Sequence, residues 1–481
     1  MTRILSDDLA EAEQYVLSQL VAQLDARRPR LAVRDAYYDG KKRLDRYGIS
    51  IPPQMRDLET VIGWPAKTCD VLASRLHLGG FVVPGQSSAD TGIEDIFAAN
   101  SMAVEIPQAF VSTFIHGVSF VAVTGGDTSV GEPEVLIQTM PATEATGLWD
   151  GRRRRLAAAL WMPVFDARSR KPQAAVLYLD DQVITLSKEY GGKWVAVRSP
   201  HRLGRVPVVP LRYRPRMGRP FGMSRISRSV ISLTDQAVRT MLRTEVSAEF
   251  YSSPQRYMLG ADESAFVGPD GQARTQWEAV IGRMLTISRD EEGEVPTVGQ
   301  FPQLSMQPHA EHLRSIAMMF AGETAIPPSN LGIIHDNPAS AEAIDAAWAD
   351  MVGVAELCQV ELGSGLTEVA QLAVMTRDGL SEVPADLLRL RPKFRDASTP
   401  TKQAQTQSTV MQIQAGVLRP DSEVALEQLG YDQTDIERIQ AEHRRSAVSS
   451  LVSSIGQRLD AAAADPVVAA TAAVRGSGDA A

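Results

Sequence analysis

Apolar positions along this chain recur with helical spacing in some stretches and form short strand-like runs in others. The longest helical pattern is Ile344, Trp348, Met351, Ala355, Cys358, Leu362, Leu366 and Val369, at spacings of 4, 3, 4, 3, 4, 4 and 3. One face of a 3.6-residue period repeats in this way, so a helix is predicted over residues 338–376, with Asn337 as its cap and Pro338 as its first residue. Gly353, Gly363 and Gly365 lie off that stripe and would permit bending. Ile226, Val230, Leu233, Ala237 and Met241 predict a helix over 223–250, and Leu313, Ile316, Ala317, Phe320 and Ala321 another over 308–324. Near the start, Leu9, Val16, Leu20 and Leu24 predict a helix from Ser6, as N-cap, to about Arg27, with Pro29 beyond its end. A second helix begins near Pro65, carries Cys69, Leu72, Ala73 and Leu76, and stops at Gly79-Gly80.

Between these lie the strands. Residues 107–123 read as a buried helix running into a strand, and 118–123, 134–140 and 174–180 are strand-like. Residues 182–197 predict a hairpin around Gly191-Gly192. Antiparallel meanders fit these short runs better than parallel crossover units, so the expected class is α+β with no dinucleotide-binding sheet. Residues 255–306 read as a strand-and-turn insertion. After Thr399-Pro400 a polar helix is predicted to about Gly416, then a short helix at 421–430. Thr434 and Glu437 suggest a capping box ahead of another short helix. Residues 465–481, rich in small residues, are expected to lack stable order.

Composition narrows the class. The chain has 481 residues, 44% hydrophobic and 22% charged, which is globular rather than disordered. A formal net charge of −9 argues against a DNA-coating protein. Two cysteines, Cys69 and Cys358, exclude a disulfide scaffold and a cysteine-rich zinc module; both read as core thiols in a reducing compartment. Neither a signal peptide nor a membrane-spanning segment is expected.

Catalytic patterns are missing: no phosphate-binding G-x-x-x-x-G-K-[ST], no G-x-S-x-G, no H-E-x-x-H. His309 and His312 stand three apart beside Glu311, but with no further ligand nearby they read as a solvated helix start. Asp290, Glu291 and Glu292 read as a solvated turn, lacking the alternating oxygen ligands of a calcium loop. Asp180 and Asp181, adjacent at a strand end, would point to opposite faces. No catalytic residue, metal or cofactor is expected. Charge is more informative. Residues 201–245 hold ten arginines against Asp235 and Glu245. The window reads as a phosphate-facing surface, as an intersubunit surface paired with acidic neighbours, or as a solvated face; Arg225, Arg228, Arg239 and Arg243 are its candidates.

The order of elements and several local stretches resemble the portal proteins of tailed bacteriophages, in the branch found in phages of actinobacteria. The stretches are YYDGKKRL (37–44), the segment from Cys69 to Phe81 ending RLHLGGF, SPQRYMLGAD (253–262), the run from Gln300 to Ile333, HDNPASAEAIDAA (335–347), and KFRDASTPTKQAQ with AGVLRPDSEVALEQLGY (393–431). The resemblance implies a portal fold: an N-terminal region and α/β wing (1–220), a first stem helix (221–252), a clip (253–306), a second stem helix (307–325), a tunnel loop (326–337), a long wing helix and its return (338–396), a helical crown (397–460) and a low-complexity tail (461–481). It implies a non-enzymatic homo-oligomeric ring, usually of twelve subunits, at a capsid vertex. Double-stranded DNA would pass through it during packaging and ejection. The implied partners are the large terminase subunit, a head–tail adaptor, and the major capsid and scaffold proteins, with no membrane; the implied location is the virion, and the host cytoplasm during assembly. On this mapping Asn330, His335, Asp336 and Asn337 face the channel, and Asp290, Glu291 and Glu292 face clip partners. The alternatives are a metal-dependent nucleic-acid-processing enzyme using residues 290–294 or His309 and His312, and another capsid assembly protein.

Overall fold

The structure is a computed structural model. It describes residues 4–44, 59–84, 91–163, 165, 172–189, 192–251, 256–259, 297–300, 305–333, 341–398, 402–431 and 433–464. The chain divides into two compact units, Met1–Ala397 and Ser398–Ala481.

In the first unit, helix α1 (Glu11–Tyr38) lays Leu17, Leu20, Val21 and Leu24 against an antiparallel five-stranded sheet. The sheet is a meander in chain order: β4 (Ala145–Asp150), β5 (Arg155–Trp161), β6 (Ala174–Tyr178), β7 (Gln182–Lys188) and β8 (Trp194–Pro200). The β7–β8 pair is the predicted hairpin. A second sheet pairs β2 (Val118–Gly125) with β3 (Val135–Pro141) on one side and β9 (Val208–Arg212) on the other, both antiparallel. A separate core that includes Phe120, Met140, Tyr178 and Val208 joins residues of both sheets. The largest core holds α2 (Trp64–Ala73), α3 (Ile93–Ala99), α4 (Met102–His116) and the long helix α7 (Ala341–Asp378). A short antiparallel pair, β1 (Leu78–Val82) with β12 (Arg391–Phe394), packs on it.

Helices α5 (Arg228–Tyr251) and α6 (Gln307–Thr324) run antiparallel. Ser229 Oγ donates to Glu323 Oε1 at one end (2.6 Å), and Ser247 Oγ meets His309 Nε2 at the other (3.4 Å). Beyond the second end, β10 (Arg256–Leu259) pairs antiparallel with β11 (Thr297–Gln300). The second unit contains α8 (Lys402–Gln414), α9 (Glu423–Gln428) and α10 (Gln433–Ala464).

Several boundaries differ from the sequence expectation. Helix α1 starts at Glu11 and continues through Pro29 to Tyr38. Ser6 does not cap it; its Oγ donates to Trp194 O (2.8 Å), while the Ala10 N–H donates to Glu13 Oε2 (2.8 Å). Proline inside a helix costs about 3 kcal/mol. Beyond Pro29 the helix gains burial of Leu31 and Tyr37 and a bond from Arg34 Nη1 to His116 O (2.9 Å), which offset that cost. Gly79 and Gly80 lie in β1, after α2 has already ended at Ala73. Thr434 and Glu437 sit inside α10, a 32-residue helix rather than a short one. Ile344, the first residue of the α7 stripe, is exposed; the stripe is fully buried only from Met351 onward.

Candidate functional site

The junction where α5 and α6 leave the body of the first unit is tightly built. Gly117 and Gly222 have φ of +98° and +69°, and a Cβ at Gly222 would lie 2.2 Å from Tyr213 O. These glycines let the turn after α4 and the segment ahead of α5 touch backbone to backbone, with Met223 N–H donating to Tyr213 O (2.9 Å) and Tyr213 N–H to Gly117 O (3.0 Å). Arg225 follows, and it is buried. Its backbone N–H donates to Phe114 O (2.8 Å). Its guanidinium donates Nε to Thr68 O, Nη1 to the Tyr213 hydroxyl (3.1 Å) and Nη2 to Thr324 O (2.7 Å). One side chain thus ties α2, the segment after β9 and the last turn of α6 to the approach of α5. Arg225 therefore cannot be a DNA-facing or intersubunit contact: all its length is spent inside the fold. A sequence reading could not separate it from its neighbours, because two of its side-chain partners are backbone carbonyls far away in the chain.

The rest of the arginine window divides in the same way. Arg205 Nη1 lies 3.5 Å from Glu368 Oε1. Arg212 stacks over Trp149 at 4.8 Å. The Arg214 N–H donates to Glu361 Oε2 (2.8 Å). Burial pushes the Glu361 and Glu368 carboxyls up, and these arginines pull them back only in part. Arg228 and Arg243 are exposed on α5 and Arg239 is half-buried, and among the described residues none of the three forms an ion pair. They remain the cationic candidates of this helix.

The loop after α6 is anchored at its start. Ile326, Leu331 and Ile333 are buried in the main core, and residues Pro328–Leu331 make one 3₁₀ turn. Asn330 is half-buried, and its carbonyl accepts from Lys67 Nζ (2.6 Å). The loop itself holds no lysine or arginine, so α2 brings a cation to it, a contact invisible in the loop's own sequence. His335, Asp336 and Asn337 lie outside the described residues, as do Asp290, Glu291 and Glu292. Among the described residues no group of three His, Cys, Asp or Glu side chains could hold a metal ion, and no helix is long and apolar enough to cross a membrane. Cys69 and Cys358 are free and buried, and burial pushes both thiols up to about 12. Arg75, in the turn after α2, stacks on Trp348 at 4.0 Å and donates to Ala397 O (2.6 Å), tying the first part of α7 to that turn.

Comparison with known proteins places this architecture. A family model described as phage portal protein, SPP1 Gp6-like, matches residues 17–448. The portal protein of Mycobacterium phage D29 is 30% identical over 456 residues, covering 94% of this chain and 92% of that protein. The portal protein of Mycobacterium phage L5 is 29% identical over 465 residues, covering 95% and 93%. Among solved structures, a chain from the neck of a native gene transfer agent particle, computed with C12 symmetry, has a TM-score of 0.43 at 13% identity, covering 76% of this chain and 89% of that one. A chain from the virion of a native gene transfer agent has a TM-score of 0.41 at 11% identity, with the same coverage. With a family model spanning most of its length and relatives aligned nearly end to end, the chain belongs to the SPP1 Gp6-like phage portal protein family.

Proposed function

We propose that this chain assembles into a portal ring, of twelve copies, at one vertex of a phage capsid and conducts double-stranded DNA without catalysing a reaction. The observation that carries the reading is the antiparallel α5–α6 pair, joined at its far end by the β10–β11 ladder and anchored at its near end by Arg225. Two helices held rigidly at their base and bridged at their tip suit a stem and a clip. In this reading 1–220 and 338–396 form the wing, 397–460 the crown, 461–481 a tail, and 253–306 the clip that meets terminase and the head–tail adaptor. Asn330, His335, Asp336 and Asn337 line the channel, with Asp290, Glu291 and Glu292 at the clip.

Surface chemistry supports assembly. Met318 and Met319 on α6, and Leu357 and Val360 on α7, are exposed apolar residues that a neighbouring copy would cover. A net charge of −9 per chain keeps a bore from gripping phosphate, because each neutralised phosphate adds salt-dependent affinity that would stall translocation. Negative-stain electron microscopy and mass photometry of the full chain test the reading. Rings of about a dozen chains with a hole wide enough for a DNA duplex are expected. A chain that stays monomeric in every condition, capsid and scaffold proteins included, overturns it.

A further inference from the structure

A cavity of about 450 Å³ opens between the C-terminal half of α1 and the segment that leads into α5. Five arginines line it, Arg27, Arg30 and Arg34 from α1 and Arg219 and Arg228 from the other wall, and no aspartate or glutamate does. Among the described residues none of the five is paired with a carboxylate. Arg27 stacks over Phe221 at 4.9 Å, and Arg34 is held by His116 O, so two of the guanidiniums are fixed in place. The carboxylate nearest in the chain to this wall, Asp35, is engaged by His116 Nε2 at 3.1 Å and lines a different cleft. The cavity also receives the N-terminus of the 24-residue helix α5, where Ser227 Oγ accepts from Val230 N–H (3.2 Å), and a helix start adds positive potential.

Charge crowding adds to the geometry of the cavity. Burial first, and the charge of Arg30 second, push Arg27 and Arg34 below the ordinary arginine range, Arg34 to about 10. Like charges gathered in a half-buried space repel, and a bound oxyanion would relieve that repulsion while accepting forked N–H donors. The walls are a helix and a glycine-bounded turn, Gly218 to Gly222, and Arg27 and Arg34 are held in advance of binding.

We propose that this cavity is a binding site for a phosphate-class oxyanion, held by Arg30, Arg219 and Arg228 at its rim and by Arg27 and Arg34 deeper in. The site does not depend on the conduit reading, since it lies within one chain. The ligand's phosphate comes either from a nucleic-acid backbone or from a free polyphosphate.

The test is calorimetric titration of the full-length chain with inorganic tripolyphosphate at low ionic strength. Saturable binding is expected, weakened at least about tenfold in the double variant Arg30→Gln, Arg219→Gln, as loss of two charge-assisted donors requires. The double variant Arg152→Gln, Arg154→Gln removes two exposed charges from the β4–β5 turn and should bind like the parent. A short DNA duplex that displaces the tripolyphosphate assigns the phosphate to nucleic acid; one that binds without displacing it assigns a free polyphosphate. Absence of saturable binding, or equal weakening in both double variants, overturns the proposal. So does a result in which Arg30→Gln, Arg219→Gln leaves binding intact and alters only assembly, which would make the cavity a seat for acidic side chains of a second copy.

Discussion

Arg225 holds a full positive charge inside the protein, and its neighbours show why it is tolerated. A buried cation is stable only when its donors are matched, and here all three guanidinium nitrogens find an acceptor. Replacing it with methionine keeps much of the volume but takes the donor away from Thr324 O, at the end of α6, and from the Tyr213 hydroxyl. The expected loss is about 1–3 kcal/mol, the cost of leaving a buried acceptor without its donor, read as a fall in denaturation midpoint. Lysine should not rescue it, because a single ammonium cannot reach three acceptors in a plane. Arg202→Gln, at an exposed position, should stay within about 0.5 kcal/mol of the parent. The two cysteines give a second residue-scale test. With both thiols pushed up to about 12, almost no thiolate exists at pH 8, so a disulfide reagent should react only after denaturant is added. The sign of the pH dependence follows. The unfolded thiols lose protons near pH 9 while the folded ones keep theirs, so these groups make stability fall as pH rises above about 9. Rapid labelling of two thiols in the native protein would contradict this placement. Both cysteines were legible as core residues because they sit on apolar stripes. The role of Arg225 was not legible, since nothing in an arginine-rich run marks the member whose partners are remote carbonyls.

Among the elements, α7 is the one whose pattern carried most of its fold and misled on one point. The predicted stripe is buried from Met351 onward but not at Ile344, and two of the helix's glycines are places of close approach. A Cβ at Gly363 would lie 2.9 Å from Pro392 Cγ, and one at Gly365 would lie 2.7 Å from Leu211 Cδ2; β12 and β9 approach the helix through these gaps. At Gly353 a Cβ would meet nothing within 4 Å. The three alanine variants should therefore diverge. Gly353→Ala should stabilise by about 0.5–1 kcal/mol, the helix preference of alanine over glycine. Gly363→Ala and Gly365→Ala should destabilise in spite of that preference, because a packed core resists added volume at a cost of about 1–3 kcal/mol. Thermal melts of the three variants decide it, and uniform stabilisation would mean that the glycines leave no tight contact. Periodicity revealed the helix because burial on one face is a local signal. It could not reveal what crosses the other face, nor that α1 would run through Pro29, because both depend on residues far away in the chain. The hairpin β7–β8 and the antiparallel order of the middle sheet were legible for the converse reason: neighbours in sequence are neighbours in space.

For the molecule as a whole, the division into two units sets what each part can do alone. Among the described residues, the three hydrophobic cores lie within Met1–Ala397. Among the described residues of Ser398–Ala481, only Thr409, Ala425, Leu426 and Ile436 are buried, whereas Val448, Val452 and Ile455 repeat at four and three residues along an exposed edge of α10. A long helix that exposes an apolar edge gains stability mainly from a partner, since isolated helices are marginal in water. The first unit should therefore fold without the second, and the second should need neighbours. A chain ending at Ala397 is expected to melt within a few degrees of the full chain in calorimetry, because its cores are intact. In mass photometry at matched concentration the same truncated chain should form fewer or less stable rings, because the apolar edge that other copies would cover is gone. A truncated chain that fails to fold would show that the C-terminal helices complete the body. One that assembles as fully as the parent would place the whole of the subunit contact on the exposed residues of α6 and α7.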